Sequence, residues 1–221
     1  MKRSVLLLTV AAVMASMASP AWAVLLKAAE WQMNDTDGQM LDSSGNNNNG
    51  TPTDVTRMGA TYDFNGSTSH VLVPDADSLD PQANDITLTA SVVVNGQSLN
   101  DDSYDVVRKG LVTTTGGDYK MEIQRTDATV GKLHCLFRGD RRTADIVARR
   151  DIVDGNWHTL QCIKTSTSVV AMVDGSSFTK TGKAGSIANA SAVMVGAKEV
   201  TPKPDDMFNG SMDFVSIDIA Q

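Results

Sequence analysis

The sequence is poor in several residue types on which common protein classes depend. It has two cysteines, three histidines and three glutamates, and aromatic residues make up only 5% of its 221 residues. The three histidines are too dispersed to predict a zinc site. No Ser/His/Asp motif, phosphate-binding glycine loop or sustained helical periodicity is present. The net charge of −7 argues against nucleic acid and anionic membranes as partners.

The first residues have the pattern of a secretory signal peptide. Lys2 and Arg3 precede an apolar run from Val5 to Val13, and Ala-Trp-Ala at 21–23 fits a cleavage site. We therefore expect a signal peptide over 1–23, one domain over 24–221, and a secreted, extracellular protein. The apolar run is too short to cross a bilayer comfortably, so no membrane span is expected after cleavage.

The two cysteines can form one intramolecular disulfide, which export would permit. Leu133, Cys135 and Phe137 share one face of a strand-like run, and Leu160 and Cys162 share a face of the next. We expect a Cys135–Cys162 bond that ties two strands of one sheet through their inward sides. It would close about 28 residues and contribute roughly 3–4 kcal/mol. Two free buried thiols are the alternative.

The remaining chain alternates short strand-like segments with turns rich in aspartate, asparagine and glycine. No repeat or long linker divides it, so we predict a single all-β domain, an antiparallel jelly-roll β-sandwich. The Arg- and Asp-rich residues 141–153 are predicted to be a connection between strands, and Trp157 to pack in the core or on the disulfide. The predicted strands are 24–33, 60–65, 70–73, 85–95, 104–109, 118–124, 131–138, 157–164, 168–173, 190–196 and 207–219.

Several segments together resemble a known family. LDSSGNNNNGT, YDFNGSTSHVLVPDADSLDP, ITLTASVVV, DGNWHTLQC, VAMVDG and NGSMDFVSIDI follow one another along the chain. Their order resembles bacterial extracellular laminin G-like (concanavalin A-like) lectin and glucanase jelly rolls, over about residues 24–219. The resemblance is specific for the fold but not for a ligand, because this fold hosts lectins, adhesion modules, hydrolases and lyases.

The resemblance also implies one structural calcium at a sheet edge. Its ligands would come from the asparagine-rich loop and the last strand, and calcium takes about six to eight oxygens. A polar turn that caps the sandwich is the alternative, and Asp35 and Asp37 are weaker candidate ligands. The predicted ligands are Asp42, Asn46, Asn48, Gly50 and Asp213.

The sequence offers little for catalysis on this fold. Glycoside hydrolysis would need a pair of carboxyl groups about 5 Å apart, and the three glutamates are far apart in the chain. A lyase or ligand site could use Tyr119, His134 and Arg138, of which His134 and Arg138 share a strand face with Lys132. The alternative is a solvated basic face.

The glycan-binding alternatives are stacking on Tyr62, Tyr104 or Tyr119 and an arginine cluster that could hold acidic groups. That cluster comprises Arg138, Arg141, Arg142, Arg149 and Arg150. We therefore expect a monomeric, non-catalytic recognition module for a polysaccharide, surface glycoconjugate or extracellular protein. A lyase or hydrolase, and a passive surface domain without a specific ligand, remain alternatives.

Overall fold

A computed structural model describes residues 24–36, 38–95, 103–126, 129–140 and 142–221. They form two antiparallel sheets and one short 3₁₀ turn, Asp77–Leu79. The expected signal peptide, Asp37 and Arg141 lie outside the described residues. The described part contains no helix with the length and hydropathy that crossing a membrane requires.

The first sheet has eight strands and includes both ends of the described domain. Its strands are β1 (Leu25–Trp31), β3 (Thr56–Arg57), β4 (Tyr62–Asn65), β6 (Ile86–Val94), β11 (His158–Lys164), β12 (Ser168–Val173), β13 (Ser176–Thr181) and β15 (Asn209–Ala220). They run in the order β13-β12-β11-β6-β15-β4-β3, and β1 also pairs with β15.

The second sheet has seven strands and carries the candidate site. Its strands are β2 (Thr51–Thr53), β5 (His70–Val73), β7 (Ser103–Lys109), β8 (Asp118–Arg125), β9 (Gly131–Arg138), β10 (Thr143–Asp151) and β14 (Val193–Val195). They run in the order β10-β9-β8-β7-β14-β5-β2. The predicted all-β sandwich is confirmed.

The core lies between the sheets, where β9 and β11 each bury every second side chain. On β9, Leu133, Cys135 and Phe137 are fully buried. On β11, Leu160 and Cys162 are fully buried. Removing such alternating apolar side chains from water stabilises the sandwich and fixes the register of each strand.

The predicted disulfide between Cys135 and Cys162 is confirmed, with Cα atoms 5.3 Å apart. The prediction that it joins strands of one sheet is wrong. β9 belongs to the seven-stranded sheet and β11 to the eight-stranded sheet, so the bond crosses the core. Alternation in the sequence shows that both sulfurs face inward, but it does not show which sheet each strand joins.

Two further predictions in this region are wrong. Residues 143–151 do not form a connection: they are β10, an edge strand that pairs with β9. Edge strands often carry charges that block further pairing, which explains the loop-like composition. Trp157 is not in the core, since 46% of its surface is exposed.

Candidate ligand-binding groove

The outer face of the seven-stranded sheet, turned away from the core, carries a dense set of charges. On β9, Lys132, His134, Leu136 and Arg138 are half-buried and alternate with the fully buried residues. The prediction that Lys132, His134 and Arg138 share a face is therefore confirmed. On β8, Asp118, Lys120 and Glu122 lie beside β9 in register, Asp118 opposite Arg138 and Glu122 opposite His134.

Two arginines share the carboxylate of Asp118. Arg138 forms an ion pair with Asp118, and the Nη2 of Arg108 lies 3.9 Å from the other oxygen of the same carboxylate. Arg108 also lies 2.5 Å from Asp105 and donates through Nε to the Gly110 carbonyl at 3.0 Å. These several partners fix the guanidinium groups in place before any ligand arrives.

A second set of ion pairs continues across the same face. Lys120 pairs with Glu122, whose other oxygen lies 3.2 Å from Nδ1 of His134. From the loop before β15, Lys198 lies 2.6 Å from Asp205 and 3.5 Å from Asp206.

The acids and bases of this face lie at different depths. The side chains of Asp105, Asp118 and Glu122 are 0%, 2% and 5% exposed. Those of Lys120 and Arg138 are 15% and 20% exposed. Lys198 is 31% exposed and its partner Asp205 is 16% exposed, so in each of these ion pairs the cation lies nearer to solvent than the acid.

These cations line a depression that we call the outer groove, with a cavity volume of about 500 Å³. A neighbouring depression of about 280 Å³ shares Arg108, Leu111 and Lys198 and adds the apolar Leu72 and Met194. The outer groove is thus a charged floor between partly apolar walls. Its lining residues are Arg108, Leu111, Val112, Thr113, Asp118, Lys120, Leu136, Arg138, Lys198 and Glu199.

Burial changes how these groups titrate. It lowers the pKa of Lys120 below the ordinary lysine value, against the opposing attraction of Asp105. Burial, and next the charge of Lys120, lower the pKa of His134. For Lys198, burial is outweighed by the hydrogen bond to Asp205 and the charge of Asp206, so its pKa is raised.

The structure does not bring Tyr119 to this face, which corrects its grouping with His134 and Arg138. Tyr119 points into the core, is fully buried and donates its hydroxyl to the Leu79 carbonyl at 3.1 Å. Burial raises its pKa well above the ordinary tyrosine value. Tyr62 and Tyr104 are also fully buried and offer no stacking surface.

The expected arginine cluster is also divided by the structure. Arg138 and Arg142 lie at one end of the β9–β10 pair, where Arg138 is opposite Thr143. Arg149 and Arg150 lie at the other end of β10, and Arg150 pairs with Asp174 at 2.8 Å. The four described arginines therefore do not form one binding patch.

The predicted calcium loop is held together by its own hydrogen bonds. Oδ1 of Asp42 accepts from the backbone N–H groups of Glu30 and Ser44, both at 2.9 Å. Its Oδ2 accepts from the Ser44 hydroxyl at 2.8 Å and from the Asn48 N–H at 2.9 Å. This carboxylate does not fit the role of a calcium ligand, because its oxygens already face four donors.

The amides of the loop serve the same internal framework. Asn48 donates to the Ala28 carbonyl at 2.7 Å and to the Ser78 hydroxyl at 2.9 Å, and Asn46 donates to the Lys27 carbonyl at 2.8 Å. Gly50 exchanges backbone hydrogen bonds with Met40. The calcium stays a prediction from the resemblance.

Asp213 lies at a register shift of β15, and one of its oxygens is buried without a hydrogen-bond partner among the described residues.

Among the residues that the structure describes, one group of three acidic side chains has ligand atoms that all lie within 4.8 Å of one another: Asp105, Glu122 and Asp206. This group lies under the outer groove and contains neither Asp42 nor Asp213. Its acids face Arg108, Lys120 and Lys198, so neighbouring cations account for them without a metal.

Sequence reasoning missed Arg108, Asp118, Lys120 and Lys198. The segment DYKMEIQ held a usable signal, because Asp118, Lys120 and Glu122 alternate with the apolar Tyr119, Met121 and Ile123. Lys198 gave no such signal, since it comes from a loop that reaches the sheet only in the folded chain.

Comparisons with known proteins agree with this architecture. The binding domain of Paraclostridial Mosquitocidal Protein 1 superimposes with a TM-score of 0.65 at 16% identity, covering 89% of this chain and 49% of that one. The binding domain of botulinum neurotoxin DC matches in its complex with SialylT (TM-score 0.61, 13% identity, 86% and 47% covered) and with rat synaptotagmin II (0.59, 13%, 86% and 48%). At these identities the likeness shows the fold alone, and the chain spans about half the length of these structures.

A search of curated proteins gave no match. A family model matches residues 65–218. The chain therefore belongs to the Laminin_G_3 family of the concanavalin A-like lectin/glucanases superfamily.

Proposed function

We propose that this protein is a secreted, monomeric, non-catalytic recognition module that binds a saccharide or another surface partner in the outer groove. The observation that carries the proposal is the layer of Lys120, Arg138 and Lys198 above buried carboxylates. Groups already held in place lose little conformational freedom when a ligand binds, so more of the interaction energy appears as affinity.

The depth of the charges favours a particular ligand chemistry. In each ion pair of the groove the cation lies nearer to solvent, and the planar guanidinium of Arg138 can hold a carboxylate or sulfate through two parallel hydrogen bonds. We therefore propose a saccharide that carries carboxylate or sulfate groups. The known structures of similar fold support this class of partner, since one of them is a complex with SialylT.

The same pairing favours binding over catalysis. A glycoside hydrolase needs one carboxyl group as general acid and a second as base or nucleophile, both in contact with the substrate. Here the carboxylates of Asp105, Asp118 and Glu122 are almost inaccessible to solvent, and each forms an ion pair with an arginine or a lysine. A lyase that used Tyr119 is disfavoured because that hydroxyl lies in the core.

The test is a glycan array probed with the purified protein, once with calcium and once with EDTA. We expect binding to at least one class of carboxylated or sulfated polysaccharide, weakened by Lys198→Gln. Lys180→Gln is the matched control, since it removes the same charge from an exposed pair with Asp145 outside the groove. Failure to bind any acidic glycan would overturn the saccharide proposal and favour the passive surface domain.

A further inference from the structure

One row of side chains runs straight across the outer face of the seven-stranded sheet. Arg108 on β7 lies opposite Lys120 on β8 and opposite Met194 on β14. Lys120 in turn lies opposite Leu136 on β9, and Met194 lies opposite Leu72 on β5. Paired residues of adjacent strands point to the same face of a sheet, so the five side chains form a continuous row. Because neighbouring strands lie about 4.8 Å apart, the row is roughly 19 Å long.

This row forms the floor of both depressions on that face. Arg108, Lys120 and Leu136 line the outer groove, whereas Arg108, Met194 and Leu72 line the neighbouring depression. Since Arg108 belongs to both, the two depressions adjoin and form one trough across the strands. The floor is charged toward β8 and apolar toward β5, where the Leu72 side chain is 40% exposed.

Two loops form the walls of the trough. Because β7 and β14 are antiparallel, the turn after β7 and the loop after β14 leave the sheet on opposite sides of the row. In the turn, Thr114 donates its N–H to the Leu111 carbonyl at 2.9 Å and accepts the Leu111 N–H at 2.8 Å. In the loop, backbone hydrogen bonds join Asp205 to Lys198 at 3.1 Å and to Glu199 at 3.0 Å. Both walls are thus fixed before a ligand binds.

The apolar part of the trough suits a small substituent better than a whole sugar ring. The apolar face of a sugar stacks on aromatic rings, and none of the described residues that line the neighbouring depression is aromatic. Its lining adds the aliphatic Val200 and the hydroxyl groups of Thr114 and Ser191 to the floor of Leu72 and Met194. An acetyl group fits this surface, because its methyl group leaves water against the aliphatic side chains and its carbonyl can accept from a hydroxyl group.

We infer that the trough binds an acidic saccharide that carries acetyl groups, and that Leu72 and Met194 select for those groups. The inference rests on the proposed function of the outer groove and adds the substituent that distinguishes one acidic saccharide from another. The carboxylate or sulfate lies over Lys120 and Lys198, and the acetyl methyl group lies against Leu72 and Met194. Lys120 and Met194 are two strands apart, so the two groups of the ligand are separated by roughly 10 Å.

The same depression disfavours a sulfate in place of the acetyl group. A sulfate there would lose water against the aliphatic Leu72 and Met194, and the carboxylate of Glu199, which lines both depressions, would repel it. The resulting order of affinities is opposite to the order that attraction to the lysines and arginines alone would give.

Two heparosan octasaccharides that differ only at the glucosamine nitrogen test the inference. One carries N-acetyl groups, and the other carries N-sulfo groups and therefore more negative charge. Both are titrated into the purified protein by calorimetry in moderate salt, which screens distant charges. We expect the wild type to bind the N-acetyl chain at least about fourfold more tightly, the gain for one methyl group that leaves water. Charge alone predicts the opposite order.

A substitution in the floor separates the acetyl contact from the charged contacts. Leu72→Gln places a polar side chain of similar size in the depression and should weaken binding of the N-acetyl chain about fourfold. Its binding of the N-sulfo chain should not change, which also shows that the variant is folded. Leu41→Gln is the matched control, since Leu41 is 53% exposed and lines neither depression. Lys198→Gln should weaken binding of both chains.

The outcomes separate this inference from the proposed function. The inference alone is overturned if the wild type binds the N-sulfo chain as tightly as the N-acetyl chain or more tightly, or if Leu72→Gln affects both chains equally or neither. It also fails if acidic glycans of the array bind but neither heparosan chain does. If no acidic glycan binds, it fails together with the proposed function.

Discussion

The outer groove and the end of the sandwich around His158, where Arg150, Asp154 and Asp174 lie, carry charged residues at different depths. In the groove each carboxylate is less exposed than the cation with which it pairs, from Asp105 at 0% to Asp205 at 16%. Around His158 the order is reversed, since Asp154 is 47% exposed and the His158 side chain only 2%. The burial of each group thus decides which sign of charge faces solvent. It also decides how much the loss of one partner of an ion pair lowers the free energy of unfolding.

The largest expected difference between the regions is in stability. Asp118→Ala leaves the nearly buried Arg108 and the half-buried Arg138 without this shared partner, and we expect it to lower the free energy of unfolding by about 3–5 kcal/mol. Asp154→Ala removes an exposed partner of His158 and should cost less than about 1 kcal/mol. Urea denaturation of both variants measures the comparison; equal losses would contradict the role of depth.

The disulfide joins β9, whose outer face carries the groove, to β11, which begins at His158. Replacing both Cys135 and Cys162 by alanine should lower the free energy of unfolding by about 3 kcal/mol, because the unfolded chain regains the entropy of a closed loop. Denaturation of the double variant and of the reduced wild type should agree. A loss below about 1 kcal/mol would show that the two sheets hold together without the bond.

The asparagine-rich loop offers a third region in which a carboxylate is surrounded by donors. Asp42→Ala leaves four donors without their acceptor, so we expect a loss of about 1–3 kcal/mol in calcium and in EDTA alike. Thermal melting of wild type and variant in both buffers is the measurement. A loss seen only with calcium, together with a lower wild-type melting temperature in EDTA, would support the calcium prediction instead.

The smallest expected effect is on the pH dependence of stability. The fold lowers the pKa of His134, so the unfolded chain binds that proton more tightly. The contribution of His134 to the free energy of unfolding is therefore fully present above the ordinary histidine pKa of about 6.5. It is lost as the pH drops toward the lower pKa of the folded state. The lowered pKa of Asp154 has the same sign in a separate window, below about pH 4.

Melting temperatures from pH 7 to pH 5 can isolate the histidine contribution. His134→Gln should flatten the slope in this range, whereas His70→Gln should retain it. An unchanged slope in His134→Gln would place the titrating group elsewhere.

The sequence alone predicts the parts of this fold whose alternation reflects burial. β6, β9, β11, β12 and β15 have apolar side chains at every second position because one face of each enters the core. β2, β3, β10 and β13 were not predicted, since these edge strands are short or carry polar side chains and look like loops in the sequence.

The candidate sites were predictable only in part, for a related reason. Strand geometry predicts that His134 and Arg138 share one face of β9. Tyr119 lies on another strand, β8, where it alternates with Asp118 and Lys120. The alternation of β9 therefore does not predict that Tyr119 points into the core. Lys198 and Trp157 lie outside the strands. Their positions depend on loop conformation, which no periodicity encodes.

The most direct test of the central claim is a calorimetric titration of heparin into wild type, Lys198→Gln and Lys180→Gln in low and moderate salt. If cations over buried acids form the binding site, wild type and Lys180→Gln should bind alike. Lys198→Gln should then bind about tenfold more weakly, a change of ~1.4 kcal/mol. Equal weakening by both variants would show only nonspecific attraction to charge, and absence of wild-type binding would contradict the assignment of the groove to acidic saccharides.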